Sequence, residues 1–530
     1  MIKLLDRLEH SKTFWALLGI TLFFFLLRSP SLIEPNWYGD EGIYQVIGMA
    51  IDSGRTLYSE AWDNKPPLLY LTYALFHGDQ FGVRLASLVI GLLATWMFFF
   101  LSQKLFKNLR LSIGITTLFA ILFATPFIEG NIANAENFML LPIISAGFLI
   151  TSLRGERNER RSNLIHAGDR HAPIVARDDV FLFFAGLLLG IAFLFKIVAL
   201  FDFLAFFLFL FIISTNSSLR GERNERRSNL IVNRIKHGIA TAILWLRNDA
   251  FPIVLGFLLP ITLTFLYFFI NNVLGDFIRA TFFGNIGYVG YGNTLIIPQG
   301  MLILKLLLLS IVTLFVFLKR NVLSKQTMFV LLWLAFSLFN AFFSQRPYTH
   351  YVLVMLPSFC LLVGLLFYEK IIKIKRLLAV LLVVVTILLL NNFHFSSLKK
   401  TVLYYYNTLT FITGNKNITA YQAFFDQKTP RDYQLASFIK MHTTSRDNIF
   451  VWGDSAQIYA LANKLPPNKY TVAYHTTQSN TGITQTQAAL NRIKPKYIFV
   501  LPEAPILPFR LPLYTSTVSF QGVVIYERTF

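Results

Sequence analysis

The chain has 530 residues, of which 55% are hydrophobic, and its mean hydropathy is +0.54. These values exclude an ordinary soluble globular protein, because repeated apolar runs of about 17–22 residues match the thickness of a bilayer at helical rise. The net charge of +20 does not indicate nucleic-acid binding, since the basic residues lie in loops between apolar runs.

Eleven apolar windows predict eleven transmembrane helices. Lys3, Arg7 and Lys12 precede the first window, and no small-residue cleavage site follows it, so it is predicted to be an uncleaved anchor. The predicted spans are 14–33, 83–102, 111–127, 136–153, 180–195, 197–214, 251–271, 301–318, 327–343, 350–367 and 377–393.

The basic residues are divided unequally between the two sets of loops. The N-terminus and the loops after even-numbered spans carry 26 Lys and Arg residues, and this set is cytoplasmic by the positive-inside rule. The first outer loop, 34–82, and the C-terminal tail are therefore predicted outside the cytoplasm, in a multi-pass protein of the cell (plasma or inner) membrane. The opposite loops contain little more than Arg55, Lys65, Lys196, Arg279 and Arg346.

The segment 394–530 has the composition of a soluble domain. Gly453-Asp454-Ser455 predicts a helix N-cap in preference to a phosphate-binding turn. The chain is thus predicted to be mainly α, with a transmembrane domain over 1–393 and a small extracytoplasmic α/β domain over 394–530. The predicted elements of the latter are strands at Asn448–Trp452, Lys496–Leu501 and Val523–Arg528 and helices at Asp432–Met441 and Thr486–Ile493.

A perfect repeat of 14 residues occurs at 152–165 and again at 218–231. Both copies fall in predicted cytoplasmic loops, where polar insertions are tolerated. We favour an inserted repetitive sequence, because loops lengthen at little entropic cost. The alternative is a basic patch that binds anionic lipid or a partner.

Polar residues predicted on the outer face gather in a few loops. Ionisable groups at the membrane surface of a chain that is only 14% charged indicate function there. The set comprises Asp40, Glu41, Asp63, Asn64, Lys65, Glu129, Glu136, Asn137, Lys196, Tyr288, Tyr291, Asn293, Arg346, His350 and Tyr351.

This combination suits the transfer of a sugar from a lipid phosphate. A carboxylate can take the proton of an acceptor hydroxyl, and Lys or Arg can stabilise charge on the departing phosphate. Asp40 and Glu41 are the candidate catalytic residues, with Asp40 as the base and Glu41 as a structural or metal-facing partner. On an extended loop the two side chains point in opposite directions. Capping of a helix over Gly42–Ile51 is the alternative role of this pair.

Five short motifs occur in order on the predicted outer face, within roughly 30–370. They are Gly39-Asp40-Glu41-Gly42-Ile43-Tyr44, Asn64-Lys65-Pro66-Pro67-Leu68-Leu69-Tyr70, Phe81-Gly82-Val83-Arg84-Leu85, Asn134-Ala135-Glu136-Asn137-Phe138-Met139-Leu140, and Arg346-Pro347-Tyr348-Thr349-His350-Tyr351 with Pro357. In these motifs the chain resembles the membrane glycosyltransferases with the GT-C fold. The resemblance is to the group joining protein O-mannosyltransferases, the aminoarabinose transferase that modifies lipid A and the Rgt-type galacturonosyltransferases.

The resemblance implies that Asp40 is the catalytic base, that Lys65 contacts the donor phosphate and that Glu136 lines the same cavity. Asn64 departs from the family pattern, which often has His or Glu there, so metal binding is left open. A divalent metal, if used, is expected at Asp40 and Glu136. The implied partners are a polyprenyl-phosphate sugar donor and the bilayer, with the acceptor open and no nucleic acid.

The remaining candidates each have a functional and a structural interpretation. Arg346 and Lys196 are assigned to the donor phosphate, and Asn64, Asn137, His350 and Tyr351 to the cavity. The structural alternatives are snorkelling for Lys65, helix capping for Glu136, interfacial anchoring for His350, a surface hairpin for Lys196 and belt or packing roles for Tyr288 and Tyr291.

The preferred prediction is an inverting transferase that moves a sugar to a protein, lipid or glycan acceptor on the outer face. The alternative is a transporter or flippase of a lipid-linked saccharide, which would place ionisable residues near mid-span and show matched halves with broken helices. The predicted spans contain few acids, Asp202 being the main exception, and no halves match. A structural scaffold would leave Asp40 and Lys65 without a role.

Overall fold

The computed structural model describes residues 11–153, 172–221, 250–286, 302–344, 346–393, 395, 398–479 and 481–529. Within these residues the chain is mainly helical, with one four-stranded sheet near the C-terminus. Most of both repeat copies, together with Tyr288, Tyr291 and Asn293, lies outside the described residues.

The described part of residues 1–393 consists of helices with turns and loops between them. The α-helices are α1 (Lys12–Arg28), α2 (Gly39–Asp52), α3 (Pro67–Leu75), α4 (Gln80–Phe106), α5 (Leu109–Ala124), α6 (Ala135–Thr151), α7 (Ala172–Phe195), α8 (Leu200–Gly221), α9 (Phe251–Ile270), α10 (Leu274–Ile278), α11 (Leu302–Leu318), α12 (Lys325–Phe343), α13 (Leu356–Tyr368) and α14 (Ile372–Asn392). Four 3-10 turns lie at Ser29–Leu32, Pro126–Ile128, Ile197–Ala199 and Thr349–Met355, and a π turn lies at Arg279–Phe283.

Eleven of these helices, α1, α4–α9 and α11–α14, coincide with the predicted spans. In the described residues seven segments are long and apolar enough to cross a membrane, and α5, α6 and α11 are shorter apolar helices. The prediction of a polytopic, mainly helical membrane protein is confirmed. The tenth span differs, because it begins as the 3-10 turn Thr349–Met355 and becomes α-helical only at α13. Pro357 explains this change, since it has no N–H to continue an α-helical ladder from the preceding turn.

The C-terminal part forms a small α/β unit. Its elements are α15 (Leu398–Ile412), α16 (Ile418–Phe425), α17 (Thr429–His442), β1 (Ile449–Trp452), α18 (Gln457–Ala462), α19 (Ala473–Gln478), α20 (Gly482–Ile493), β2 (Tyr497–Val500), β3 (Tyr514–Phe520) and β4 (Val523–Arg528). The sheet order is β1-β2-β4-β3, with β1 parallel to β2 and the other pairs antiparallel. All five predicted elements are present. The edge strand β3 was not predicted, because its polar sequence lacks the apolar alternation of a buried strand.

The prediction of an N-cap at Gly453-Asp454-Ser455 is wrong. Helix α18 begins at Gln457 after Ala456, which has no side chain able to cap it. Instead, Asp454 Oδ1 accepts the backbone N–H of Tyr474 at 3.1 Å, and Gly453 O accepts that of Ala473 at 2.9 Å. This turn therefore fixes the start of α19 against the end of β1.

The C-terminal unit packs directly on the first outer loop. One buried apolar cluster contains Ile47 and Leu69 of this loop together with Leu435 and Phe499 of the C-terminal unit. Helix α2 approaches α18 so closely that a Cβ at Gly42 would lie 2.7 Å from the Gln457 nitrogen. The division at residue 393 stays a prediction, but the loop and the C-terminal unit share one core.

Arg84, at the start of α4, anchors helix α2 through a buried ionic network. Its Nη1 lies 3.0 Å from Glu34 Oε2, and its Nε and Nη2 donate to Glu41 at 3.1 and 2.5 Å. All three side chains are buried, so neither glutamate has water as an alternative partner. The network fixes the helix that carries Asp40.

Because this contact uses the planar fork of a guanidinium, we expect Arg84→Lys to lower the free energy of unfolding by about 1.5–3 kcal/mol. The measurement is reversible unfolding of the purified protein in detergent micelles. Arg110→Lys, at an exposed position of α5, is the matched control. Equal stability of the two variants would contradict the anchoring role.

Candidate active site

Loops that lie far apart in the sequence meet at one end of the helices. Tyr38 Oη donates to Glu129 Oε2 at 2.8 Å, and Asn285 Nδ2 donates to Asn64 O at 2.7 Å. The C-terminal unit packs at the same end, because Trp62 N–H donates to Lys469 O at 2.9 Å. The predicted outer loops and the predicted outer domain therefore share one side.

Asp40 lies in the first turn of α2, with its carboxylate partly exposed. The expectation of an extended loop at Asp40 and Glu41 is wrong, since α2 already begins at Gly39. The two side chains still diverge, because consecutive helical residues are rotated by about 100°. Asp40 Oδ2 accepts the Tyr44 hydroxyl at 3.1 Å. Burial, and then the charge of Asp40, raises the pKa of Tyr44 well above its ordinary range, so this phenol remains a donor.

Lys65 is the cation beside Asp40. Its Nζ lies 3.8 Å from Asp40 Oδ2, 3.8 Å from Asp63 Oδ2 and 4.8 Å from the centre of the Tyr44 ring. The Lys65 N–H donates to Tyr70 Oη at 3.1 Å, and Tyr58 Oη donates to Lys65 O at 2.8 Å. The backbone of the Lys-Pro-Pro motif is thus held on both sides, and the predicted base and the predicted phosphate contact stand together.

Glu41 points away from Asp40 into the protein. Besides its two bonds with Arg84, Glu41 Oε1 accepts the backbone N–H of Ala133 at 2.9 Å. Only 3% of the residue is exposed. We therefore assign Glu41 to the anchoring of α2 and not to the reaction. Of the two roles predicted for Glu41, structural or metal-facing, this is the structural one.

Lys196 and Glu136 form a second ion pair. Lys196 Nζ donates to Glu136 Oε1 and lies 4.2 Å from the centre of the Tyr351 ring. Neither residue occupies an open surface, since Lys196 is largely buried and Glu136 is 2% exposed. The charges of Lys65 and Asp40 act on Lys196, so the two lysines border the same region.

Glu129 lies among these residues, although no role was predicted for it from the sequence. His350 Nδ1 lies 2.8 Å from Glu129 Oε2, and Thr349 Oγ1 donates to Glu129 Oε1 at 2.6 Å. Burial alone raises the pKa of Glu129, but the hydrogen bond and charge of His350 bring it below its ordinary value. The backbone of Glu129 is left-handed, with φ of 60°, a strained conformation often found at functional sites. The sequence signal available was an acid in an outer turn.

The remaining candidates lie around this centre. The Asn64 N–H donates to Asp63 Oδ1 at 2.7 Å, so Asn64 helps to fix the loop before Lys65. Asn137 Nδ2 donates to Gly130 O at 2.7 Å, and its Oδ1 has no hydrogen-bond partner among the described residues. Arg346 is partly buried in the turn that precedes His350. The roles of these three residues stay predictions.

The described residues do not fit a divalent metal at Asp40 and Glu136. Each of these carboxylates faces a lysine, Lys65 or Lys196, whose ammonium occupies the place of a cation. Within the described ranges, no three His, Cys, Asp or Glu side chains gather in a way that could hold a metal ion. We therefore derive no step through a metal.

A histidine of the C-terminal unit faces the same loop. His475 Nε2 lies 3.7 Å from Asp63 Oδ1, and the Trp62 ring packs edge-on to the His475 ring at 5.0 Å. Burial lowers the pKa of His475 from 6.5 to about 4, so the ring is neutral at pH 7 and its contact with Asp63 is not an ion pair. Burial alone raises the pKa of Asp63, but Lys65 holds it below its ordinary value.

This burial predicts a pH-dependent attachment of the C-terminal unit. Released His475 binds a proton below pH 6.5, whereas docked His475 does so only near pH 4, so docking weakens as the pH falls between these values. The charged groups facing the ring are Asp63, Lys65 and Asp40. We expect proteolytic release of the C-terminal unit to accelerate from pH 7 to pH 4.5 in the wild type. A His475→Phe variant should show a flatter profile, and identical profiles would contradict this origin.

The fold has counterparts among solved structures. The crystal structure of ArnT from Cupriavidus metallidurans bound to undecaprenyl phosphate has a TM-score of 0.53 at 13% identity, over 97% of this chain and 98% of that one. Its apo state has a TM-score of 0.47 at 12% identity, over 97% of each chain. The archaeal oligosaccharyltransferase AglB from Archaeoglobus fulgidus, with an inhibitory peptide and a dolichol-phosphate, has a TM-score of 0.44 at 14% identity, over 93% of this chain and 70% of that one.

No protein-family model and no curated protein matches the chain. At 13% identity the similarity to ArnT concerns architecture, and architecture alone does not determine a reaction. It does extend over nearly the whole of both chains, from the first span to the C-terminal unit. The chain therefore has the GT-C fold that its outer-face motifs implied.

Proposed function

We propose that this protein transfers a sugar from a polyprenyl-phosphate donor to an acceptor on the outer face of the membrane, with inversion at the anomeric carbon. The observation that carries the proposal is the juxtaposition of Asp40 and Lys65, whose charged atoms are 3.8 Å apart at one end of the apolar helices. A base and a phosphate-binding cation are the two groups that such a displacement needs at neighbouring positions.

The proposed reaction is a single displacement. The acceptor oxygen attacks the anomeric carbon, and its proton passes to the carboxylate of Asp40. The new C–O bond forms as the bond from the anomeric carbon to the phosphate oxygen breaks, and the electron pair leaves with the phosphate. Lys65 stabilises the charge that grows on that phosphate, with Lys196 as a second cation bordering the region. One displacement inverts the configuration.

The membrane explains why such a site would lie at the end of the helices. A polyprenyl chain remains in the hydrocarbon region while its phosphate reaches the boundary with water, where Asp40 and Lys65 lie. ArnT from Cupriavidus metallidurans, which shares the fold, was crystallised with undecaprenyl phosphate, and this agrees with a lipid phosphate as donor. Because its identity to this chain is 13%, the chemistry of Asp40 and Lys65 supports the proposal more strongly.

The orientation is tested with reporters on the C-terminus. The positive-inside count predicts that alkaline phosphatase fused after residue 530 is active and that a fluorescent protein which matures only in the cytoplasm is dark. Fusions after Lys107, in a loop predicted to be cytoplasmic, serve as controls and should give the opposite pattern. Active phosphatase at Lys107 and inactive phosphatase at the C-terminus would place the site on the cytoplasmic side.

The donor class is tested in cells that lack the protein. If transfer is lost, the unused polyprenyl-phosphate sugar should accumulate, and mass spectrometry of lipid extracts should detect it. Restoring the wild-type protein should remove the lipid. An unchanged polyprenyl-phosphate fraction would count against the proposed donor.

A further inference from the structure

We propose that His475, from the C-terminal unit, is a positioning residue of the site: it holds Asp63, and Asp63 holds Lys65. The inference rests on the proposed function for the role of Lys65, but the side-chain arrangement that it describes is independent of the substrate. It gives the C-terminal unit a part in donor binding.

The contacts form a continuous chain from the sheet to the candidate base. His475 Nε2 lies 3.7 Å from Asp63 Oδ1, while Asp63 Oδ2 lies 3.8 Å from Lys65 Nζ. Lys65 Nζ in turn lies 3.8 Å from Asp40 Oδ2. Asp63 therefore stands between His475 and Lys65, with one carboxylate oxygen directed to each.

His475 is itself held in place on several sides. Only 2% of the residue is exposed, and its Nδ1 lies 3.4 Å from Thr471 Oγ1. His475 lies on helix α19. In the first turn of this helix the Tyr474 N–H donates to Asp454, which lies two residues after the end of β1. The ring is thus fixed relative to the sheet of the C-terminal unit, and its contact with Asp63 links the sheet to the first outer loop.

Asp63 needs such a neighbour because it is charged and 4% exposed. A buried carboxylate is stable only where fixed polar groups replace its water shell. The Asn64 N–H, Lys65, the Tyr70 hydroxyl and His475 surround it, and of these only His475 comes from outside the first outer loop. Removing the ring polarity should therefore let Asp63, and with it Lys65, take up other positions.

The test measures how accessible the Lys65 amine is. The readout is the rate at which an amine-acylating reagent modifies its Nζ in the purified full-length protein. Peptide mass spectrometry gives this rate relative to the exposed Lys440. His475→Phe keeps an aromatic ring against Trp62 but removes the polar nitrogen. We expect it to raise the relative rate about 3- to 10-fold, which lies in the lower part of the coupling range for residues in one polar network. His475→Gln, whose amide can approach Asp63, should restore part of the protection.

Two further variants separate positioning from loosened packing. Arg55 Nη1 donates to Pro466 O at 2.9 Å and so joins the same two parts without touching Asp63. Arg55→Ala should leave the relative acylation rate of Lys65 unchanged, and so should His442→Asn at an exposed position. An unchanged rate in His475→Phe, or an equal rise in Arg55→Ala, would overturn the inference.

The second readout is binding of undecaprenyl phosphate in detergent micelles. His475→Phe should weaken binding about 3- to 10-fold, but should have no further effect in a Lys65→Ala background, because the two residues act through one contact. Full additivity of the two substitutions would overturn the inference. If the wild type binds no undecaprenyl phosphate while His475→Phe still exposes Lys65, the proposed donor is wrong and the positioning by His475 stands.

Discussion

Asp40→Asn is expected to lower turnover by about 100-fold or more, because the amide keeps the shape of the carboxylate but cannot accept the acceptor's proton. Tyr44 can still donate to the amide oxygen, so helix α2 should keep its conformation. Donor binding should persist, since Lys65 and not Asp40 contacts the phosphate in the proposed reaction. The measurement pairs turnover with undecaprenyl-phosphate affinity in the purified variant.

Asp52→Asn is the matched control for this substitution. Asp52 lies at the other end of α2, where its carboxylate is 3.0 Å from His77 and well exposed. The same chemical change there should leave turnover close to that of the wild type. Normal turnover in folded Asp40→Asn protein would rule out Asp40 as the base.

Lys65→Ala is expected to reduce both donor affinity and turnover, because a cation facing the phosphate acts in the ground state and the transition state. The loss of turnover should be on the order of 100-fold, the size found when one preorganised donor to a developing charge is removed. Lys65→Arg should recover part of it, since a planar fork replaces a point charge. Binding isotherms and turnover of both variants are the measurements.

The control for the lysine is Lys440→Ala, at an exposed position of α17 in the C-terminal unit. It should change neither donor affinity nor turnover. Wild-type donor affinity in Lys65→Ala would move the phosphate contact to another cation. Lys196 and Arg346, on the same side of the protein, are then the next residues to substitute.

The membrane architecture could be predicted from the sequence because its signals are local. A span is recognised from the length of its apolar run, and the strands β1, β2 and β4 from short runs such as Val523–Arg528. The loops that hold Asp40, Glu136 and His350 were assigned to one side because successive spans cross the membrane in alternate directions. Their convergence in the structure agrees with that assignment.

The pairing of side chains could not be predicted in the same way. Glu129 and His350 are 221 positions apart, and Glu136 and Lys196 are 60 apart. Hydropathy indicates which face of a helix is apolar, but not which polar residue lies opposite it. For this reason no role was predicted for Glu129, and the contact between Lys196 and Glu136 was not predicted.

The role of Glu41 illustrates a related limit. Its sequence neighbour Asp40 and the membrane boundary made it a candidate for chemistry. The structure pairs it with Arg84, whose motif had been noted only for its resemblance to other proteins. A charged residue near the membrane boundary can take part in a reaction or balance a buried charge. The residue that it contacts in the structure distinguishes the two roles.

The most direct test of the account is the fate of the lipid that accumulates in cells without this protein. Purified and placed in liposomes with the wild-type protein and acceptor-containing membranes, that lipid should lose its sugar and release free polyprenyl phosphate. Protein with Asp40→Asn should bind the lipid but release the phosphate more slowly, by about 100-fold or more. Movement of the intact lipid across the bilayer, without cleavage of its sugar–phosphate bond, would contradict the transferase and indicate a transporter.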